Sequence, residues 1–178
     1  DECVGELVNT TGAGQFAGYY NDEEATAARM RGGMYWSGDL GYRDEAGFIY
    51  LAGRTDDWLR VDGENLAAAT IEALLLRNDA ISQACVYAVP DPLVGDQLMA
   101  TFVLRDGATL DPTEFEKFLA DQPDLSTKAW PRYVRLATEL PTTATNKVLK
   151  RELRVQGTHT TDPLWEREER GRSYSSIP

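Results

Sequence analysis

Histidine and cysteine are almost missing from this sequence, and positive charge is scarce. Among 178 residues His159 is the only imidazole, and Cys3 and Cys85 are the only thiols. Two thiols are too few for a disulfide scaffold, and the set is too small for a self-contained zinc site. A His-based catalytic triad is equally hard to assemble, so any acid–base chemistry must rest on other groups. Lys and Arg number 18 against 29 Asp and Glu, a formal charge of −11. That balance argues against a general nucleic-acid binder, which needs a basic face to neutralise phosphates. No apolar run approaches the roughly 20 residues that span a bilayer. Neither a Met nor a charged-then-apolar leader opens the chain, which starts at Asp1 and reads as a piece of something longer.

What is present is enough apolar material, 42% of residues, for one ordinary domain or two small ones. Residues 1–55 are rich in Gly, Tyr and turn pairs. Strand-like runs at Gly5 to Asn9 and Gly47 to Leu51 flank a short helix from Asp22 to Met30. This β-rich third has little core of its own. From residue 56 the pattern changes. Leu66 to Leu76 has helical spacing, and Ile81 to Val89 and Leu98 to Leu104 read as strands. Asp111-Pro112-Thr113-Glu114 is a capping box opening a helix through Phe115, Phe118 and Leu119. A strand from Arg132 to Leu136 and a basic helix from about Val148 to Val155 complete a compact α+β domain over 56–157. Residues 158–178 read as a polar tail, ordered only by docking. Cys85, inside an apolar strand, reads as a buried structural thiol.

Three segments carry candidate chemistry. Tyr35-Trp36-Ser37-Gly38-Asp39-Leu40 places a carboxylate beside Gly in what reads as a tight turn. Asp39 is suited to accept both hydroxyls of a ribose, although taken alone the segment reads rather as a self-capping β-turn. Gly53-Arg54-Thr55-Asp56-Asp57, followed by Gly63-Glu64-Asn65, sits where the composition changes. Arg54 can hold a phosphate or carboxylate, a junction of this kind is a candidate hinge, and Gly63 lets backbone approach a ligand. The third is Pro141-Thr142-Thr143-Ala144-Thr145-Asn146-Lys147. Between Pro131 and Arg154 there are six basic residues against two acidic ones, a local excess of four positive charges. Lys147 lies in a hydroxyl-rich loop suited to an anionic ligand.

In this order and spacing, with Asp56 17 residues after Asp39, SGDL, GRTDD, GEN and PTTATNK together resemble the C-terminal portion of adenylate-forming (AMP-binding) fatty-acyl-CoA synthetases. The resemblance runs from Gly5 to about Leu153. It implies the small α+β C-terminal domain of that fold, with 1–55 as the β-rich end of a large N-terminal domain. The implied reaction joins a fatty acid to CoA through an acyl-adenylate, with ATP, CoA and Mg as cofactors. The phosphate loop, the adenine-binding motif and the Mg site would precede these motifs, so the piece alone is expected to be inactive. The resemblance casts Asp39 as the ribose-binding carboxylate, Arg54 as its phosphate-side support and Asp56 as the hinge. Gly63, Glu64 and Asn65 would enter the site for thioester formation, and Lys147 would be the catalytic Lys of adenylation. No metal ligand is assigned.

The expected partners are fatty acid, ATP, CoA and the chain's own N-terminal domain, with self-association of the truncated piece also open. The expected location is cytoplasmic, with peripheral membrane association of the parent left open. The Gly63-Glu64-Asn65 turn departs from the Arg-containing turn of carrier-loading relatives and favours CoA. An acyl-AMP ligase, a carrier-protein-loading adenylation domain and a non-catalytic interaction domain of the same fold remain as alternatives.

Overall fold

The computed structural model describes residues 4–61, 64–91, 95–168 and 171–177, and for 56, 64 and 65 the backbone alone. Two compact units divide the chain, Asp1–Trp58 and Leu59–Pro178.

The first unit is built around one long strand. β1 (Gly5–Asn9) precedes α1 (Glu23–Arg29), β2 (Met30–Arg31), β3 (Met34–Arg43) and β4 (Ile49–Arg54), and β1, β2 and β4 all pair with β3 antiparallel. α1 starts where the sequence places it, because the Asp22 carboxylate accepts from the Ala25 amide at 2.9 Å and caps the first turn. Glycine lets the sheet close around β3. A Cβ on Gly41 would lie 2.8 Å from the Tyr50 carbonyl oxygen, so only a hydrogen fits between β3 and β4 there. Among the described residues Leu40 is the one buried large hydrophobic of this unit, while Phe48, Ile49, Tyr50 and Leu51 on and beside β4 are exposed. The thin core expected from the composition is what the structure has.

A two-stranded ribbon, β5 (Trp58–Val61) and β6 (Glu64–Ala67), starts at the last residue of the first unit, and α2 (Ala68–Leu75) follows it in the second. β7 (Ile81–Asp91), β8 (Gly95–Leu104), α3 (Pro112–Ala120), β9 (Tyr133–Ala137), α4 (Lys150–Gln156), β10 (Leu164–Arg167) and β11 (Tyr174–Ile177) follow. The sheet has the order β11-β10-β9-β8-β7. β8 and β9 are parallel, and α3 lies in the crossover such a pair requires; the other neighbours are antiparallel.

Side-chain alternation along β7 and β8 separates two cores. Val86, Leu98, Ala100 and Phe102 join Ile71 and Leu75 of α2 and Phe115 and Leu119 of α3 on one side. Cys85, Tyr87, Val89 and Met99 join Leu140 and Leu153 on the other. Tyr87 and Thr101 share a buried hydroxyl–hydroxyl hydrogen bond of 2.8 Å. Burial, the largest influence, pushes the Tyr87 phenol up to about 12 from its ordinary 10.0.

The helix boundaries move for local reasons. The expected α2 start at Leu66 falls instead at Ala68, since Leu66 and Ala67 continue β6 and Ala67 offers no side-chain cap. The expected helix from Val148 begins at Lys150, because the Thr142–Val148 bridge and a 2.7 Å hydrogen bond from the Leu149 amide to the Pro141 carbonyl keep 148–149 out of the helix. α3 has the expected capping box, with Glu114 N donating to Asp111 Oδ1 at 2.8 Å and Asp111 N to Glu114 Oε2 at 3.3 Å.

The described residues of 158–178, expected as a polar tail ordered by docking, are docked as two strands of the sheet. They supply β10 and β11, and Leu164, Trp165 and Tyr174 are buried. The Trp165 and Tyr174 rings lie 6.1 and 5.4 Å from that of Phe115, and the Tyr174 hydroxyl donates to the Pro131 carbonyl at 2.6 Å. Three large apolar side chains are enough to dock the segment, although most residues around them are polar.

Candidate functional site

Asp39 and Arg54 are 15 residues apart in sequence and direct neighbours across the β3–β4 ladder. Asp39 does not sit in a tight turn, as its Ser-Gly context suggests. It lies inside β3, and the special geometry is confined to Gly38, whose φ is +76°. That conformation suits Gly, and a Cβ there would collide with the Arg29 guanidinium. The Gly38 amide donates to Glu6 Oε1 at 2.9 Å, and its carbonyl accepts from the Thr55 hydroxyl at 3.3 Å. The Asp39 amide donates to the Ser37 hydroxyl at 3.0 Å. Arg54 Nε meets Asp39 Oδ1 at 3.0 Å, and both side chains are close to half exposed, at 45% and 43%.

An ion pair this open is worth well under about 1 kcal/mol to stability. It does hold the carboxylate and the guanidinium fork side by side and in reach of solvent. Asp39 Oδ2 and the terminal nitrogens of Arg54 have no protein partner among the described residues. Such a pair presents acceptors for sugar hydroxyls next to donors for a phosphate.

Lys147 is held differently. Its loop is a small hairpin in which the Thr143 amide donates to the Lys147 carbonyl at 2.9 Å and the Lys147 amide to the Thr143 hydroxyl at 3.1 Å. Asn146 takes φ +61°, a left-handed position that Asn tolerates. The Thr142–Val148 bridge closes the base. The Thr residues therefore shape the loop, with Thr143 and Thr145 also hydrogen-bonded to each other at 3.0 Å. The Lys147 side chain is exposed and, among the described residues, has no hydrogen-bond or ion-pair partner.

The six cations counted near Lys147 do not form one patch. Arg132 pairs with Glu166 at 2.6 Å, Arg135 with Asp162 at 2.7 Å, and Lys150 with Glu72 at 2.9 Å. Their acidic partners come from outside the counted window, so local charge arithmetic could not see them. Of the remaining expected residues, Asp56 lies in the 3-10 turn Thr55–Asp57, its side chain outside the described residues. Gly63 is outside the described residues altogether, and Glu64 and Asn65 are described only as backbone of β6. The unit boundary after Trp58 falls two residues beyond Asp56. Glu6, Thr55 and Glu72 support these groups and escaped the sequence reading, because no local pattern links them to their partners. The described residues contain no group of three or more His, Cys, Asp or Glu side chains able to hold a metal ion. None of their helices is long and apolar enough to cross a membrane.

Residues 70–147 match the AMP-binding enzyme C-terminal domain. With the fold and the Asp39–Arg54 and Lys147 motifs in place, the chain belongs to the adenylate-forming ligase family, in the portion that carries this domain. It is 59% identical over 92% of its length to the medium/long-chain-fatty-acid–CoA ligase FadD17 of Mycobacterium marinum, and covers 32% of that protein. It is 53% identical over 93% of its length to the steroid-22-oyl-CoA synthetase of Rhodococcus jostii, covering 30% of it. Among solved structures, it superposes on the o-succinylbenzoate CoA synthetase of Bacillus subtilis in complex with its acyl-adenylate intermediate, with TM-score 0.69 and 30% identity. That match takes in 84% of this chain and 30% of the other. The chain thus spans about a third of the length of these curated relatives.

Proposed function

We propose that this chain is the C-terminal portion of an ATP-dependent acid–CoA ligase acting on a large apolar carboxylic acid, a fatty acid first and a steroid side-chain acid second. The observation that carries the reading is the 59% and 53% identity to two acid–CoA ligases across more than nine-tenths of the chain. The steroid class is kept because the second of those relatives is a steroid-22-oyl-CoA synthetase.

The chemistry has two steps. The acid's carboxylate oxygen attacks the α-phosphorus of ATP, breaking the bond to pyrophosphate and giving an acyl-adenylate. The CoA thiolate then attacks the acyl carbon, forming the thioester and expelling AMP. Attack of one anion on another needs positive charge where the negative charges converge. An ammonium with no internal partner, on a loop whose backbone is locked, is suited to that task. Losing such a group costs on the order of 3 kcal/mol of transition-state stabilisation, by analogy with a single oxyanion-hole donor. Lys147 is therefore the catalytic residue of adenylation.

Asp39 accepts the ribose hydroxyls of the nucleotide, and Arg54 steadies that carboxylate while offering donors to phosphate. Asp56 is the pivot, and Gly63, Glu64 and Asn65 serve the thioester step, so that one pocket carries two steps at different moments. A carboxylate and a readily ionised thiol need no obligatory general base, which accommodates a sequence with one His. Magnesium accompanies ATP in this chemistry; the described side chains do not form a site for it, and no step here runs through it.

The test is an assay of the full ligase with ATP, CoA and a panel of octanoate, palmitate and a steroid-22-oate. The expected result is AMP release that depends on both acid and CoA, with acyl-CoA as product. Transfer of the acyl group to a phosphopantetheine carrier protein but not to CoA would overturn the reading in favour of a carrier-loading enzyme.

A further inference from the structure

Lys150 lies three residues past Lys147, at the first position of α4. A cation at a helix start is on the wrong side of the helix dipole, so its place needs another cause. The cause is Glu72, on α2. Lys150 Nζ lies 2.9 Å from Glu72 Oε1, and the same oxygen accepts the Val86 amide at 2.7 Å. β7 ends the strand order, so an amide of β7 directed away from β8 meets no strand. Val86 is fully buried, and its amide without a partner would cost the desolvation of a polar group. Glu72 meets that need, and the carboxylate thus withdrawn from water, about 20% exposed, is balanced by an ammonium about 22% exposed. One carboxylate oxygen therefore joins the helix α2, the sheet edge and the residue where α4 begins.

The joint sits at the exit of the Lys147 hairpin. The hairpin is also fixed by the Thr142–Val148 bridge, by the Leu149 amide on the Pro141 carbonyl, and by Val148, which packs against the buried cluster of Cys85, Tyr87 and Met99. Lys150 adds a charged tie from the exit of that hairpin to α2 and to the sheet edge. We infer that Glu72 and Lys150 are positioning residues for adenylation, setting where the sheet presents Lys147. The inference rests on the adenylation role proposed for Lys147.

The test uses the full ligase carrying Lys150→Met, Glu72→Gln and Lys150→Arg, each also combined with Lys147→Ala. Glu72→Gln keeps an acceptor for the Val86 amide and removes only the charge. Adenylation is read as acid-dependent ATP–pyrophosphate exchange, and thioester formation from supplied acyl-adenylate and CoA. Lys150→Met and Glu72→Gln should lower the kcat of adenylation about tenfold to a hundredfold, as expected of a misplaced catalytic group. The thioester step should stay within about twofold, and Lys150→Arg should keep most of the adenylation rate. On the Lys147→Ala background the residual adenylation rate should not fall further. Equal loss in both half-reactions, or a full additional loss on that background, would overturn the inference and leave a structural ion pair. If Lys147→Ala itself spares adenylation, the reading beneath the inference fails. If Lys147→Ala abolishes adenylation while Lys150→Met preserves it, the inference alone fails.

Discussion

The groups proposed to act chemically are loosely held by the protein. Asp39 and Arg54 meet through a single contact at nearly half exposure, and Lys147 has no partner among the described residues. Around them the backbone is closely constrained. At Gly41 the Tyr50 carbonyl occupies the space of a side chain, 2.8 Å from where a Cβ would stand. A backbone atom cannot swing aside as a side-chain tip can, so Gly41→Ala should destabilise the first unit by about 1–3 kcal/mol, the range of overpacking. Urea unfolding followed through the exposed Tyr50 of β4 would read it, and a change below about 0.5 kcal/mol would contradict a closely packed ladder. Tyr87 makes a second residue-scale prediction. Its phenol ionises near 10.0 when unfolded and about 12 when folded. Below pH 10 both states are protonated and the group adds no pH dependence. Between pH 10 and 12 only the unfolded state releases the proton, so stability falls by about 1.4 kcal/mol per pH unit. Burial drives Tyr174 the same way. The fall in unfolding free energy from pH 9 to 11 should be shallower in Tyr87→Phe than in the parent, and an unchanged slope would contradict the burial argument.

At the scale of elements, periodic segments were legible and docked ones were not. The box at Asp111, the Asp22 cap and strands β1, β7 and β8 carry their cause in adjacent residues. The chain from 158 does not. Leu164, Trp165 and Tyr174 are spread through a charged stretch, and only distant partners explain their burial: Phe115 and Pro131 for Trp165 and Tyr174, and the cluster around Tyr87 and Met99 for Leu164. The same holds for the site. Motif order was enough to single out Asp39, Arg54 and Lys147, but Asp39 proved to lie within a strand and the basic cluster around Lys147 proved to be divided among ion pairs. Each correction comes from a partner more than a dozen residues away. A direct check of the docked segment is Trp165→Ala. A buried indole in the main core should cost about 3–5 kcal/mol, read as the shift in chemical denaturation of the full chain. A loss under about 0.5 kcal/mol would mean that Trp165 does not dock the segment.

For the whole molecule, a formal charge of −11 and a single His describe the average and not the chemistry. Two compact units meet in sequence at Trp58 and Leu59. The first holds the Asp39–Arg54 pair and the second holds Lys147. The central claim is that Lys147 acts in the first step and not the second. It is tested by Lys147→Ala in the full ligase, with adenylation followed as acid-dependent ATP–pyrophosphate exchange and thioester formation followed from supplied acyl-adenylate and CoA. Adenylation should fall by at least about a hundredfold while the thioester step continues near the parent rate. Loss of both steps in equal measure, or retention of adenylation, would contradict the account.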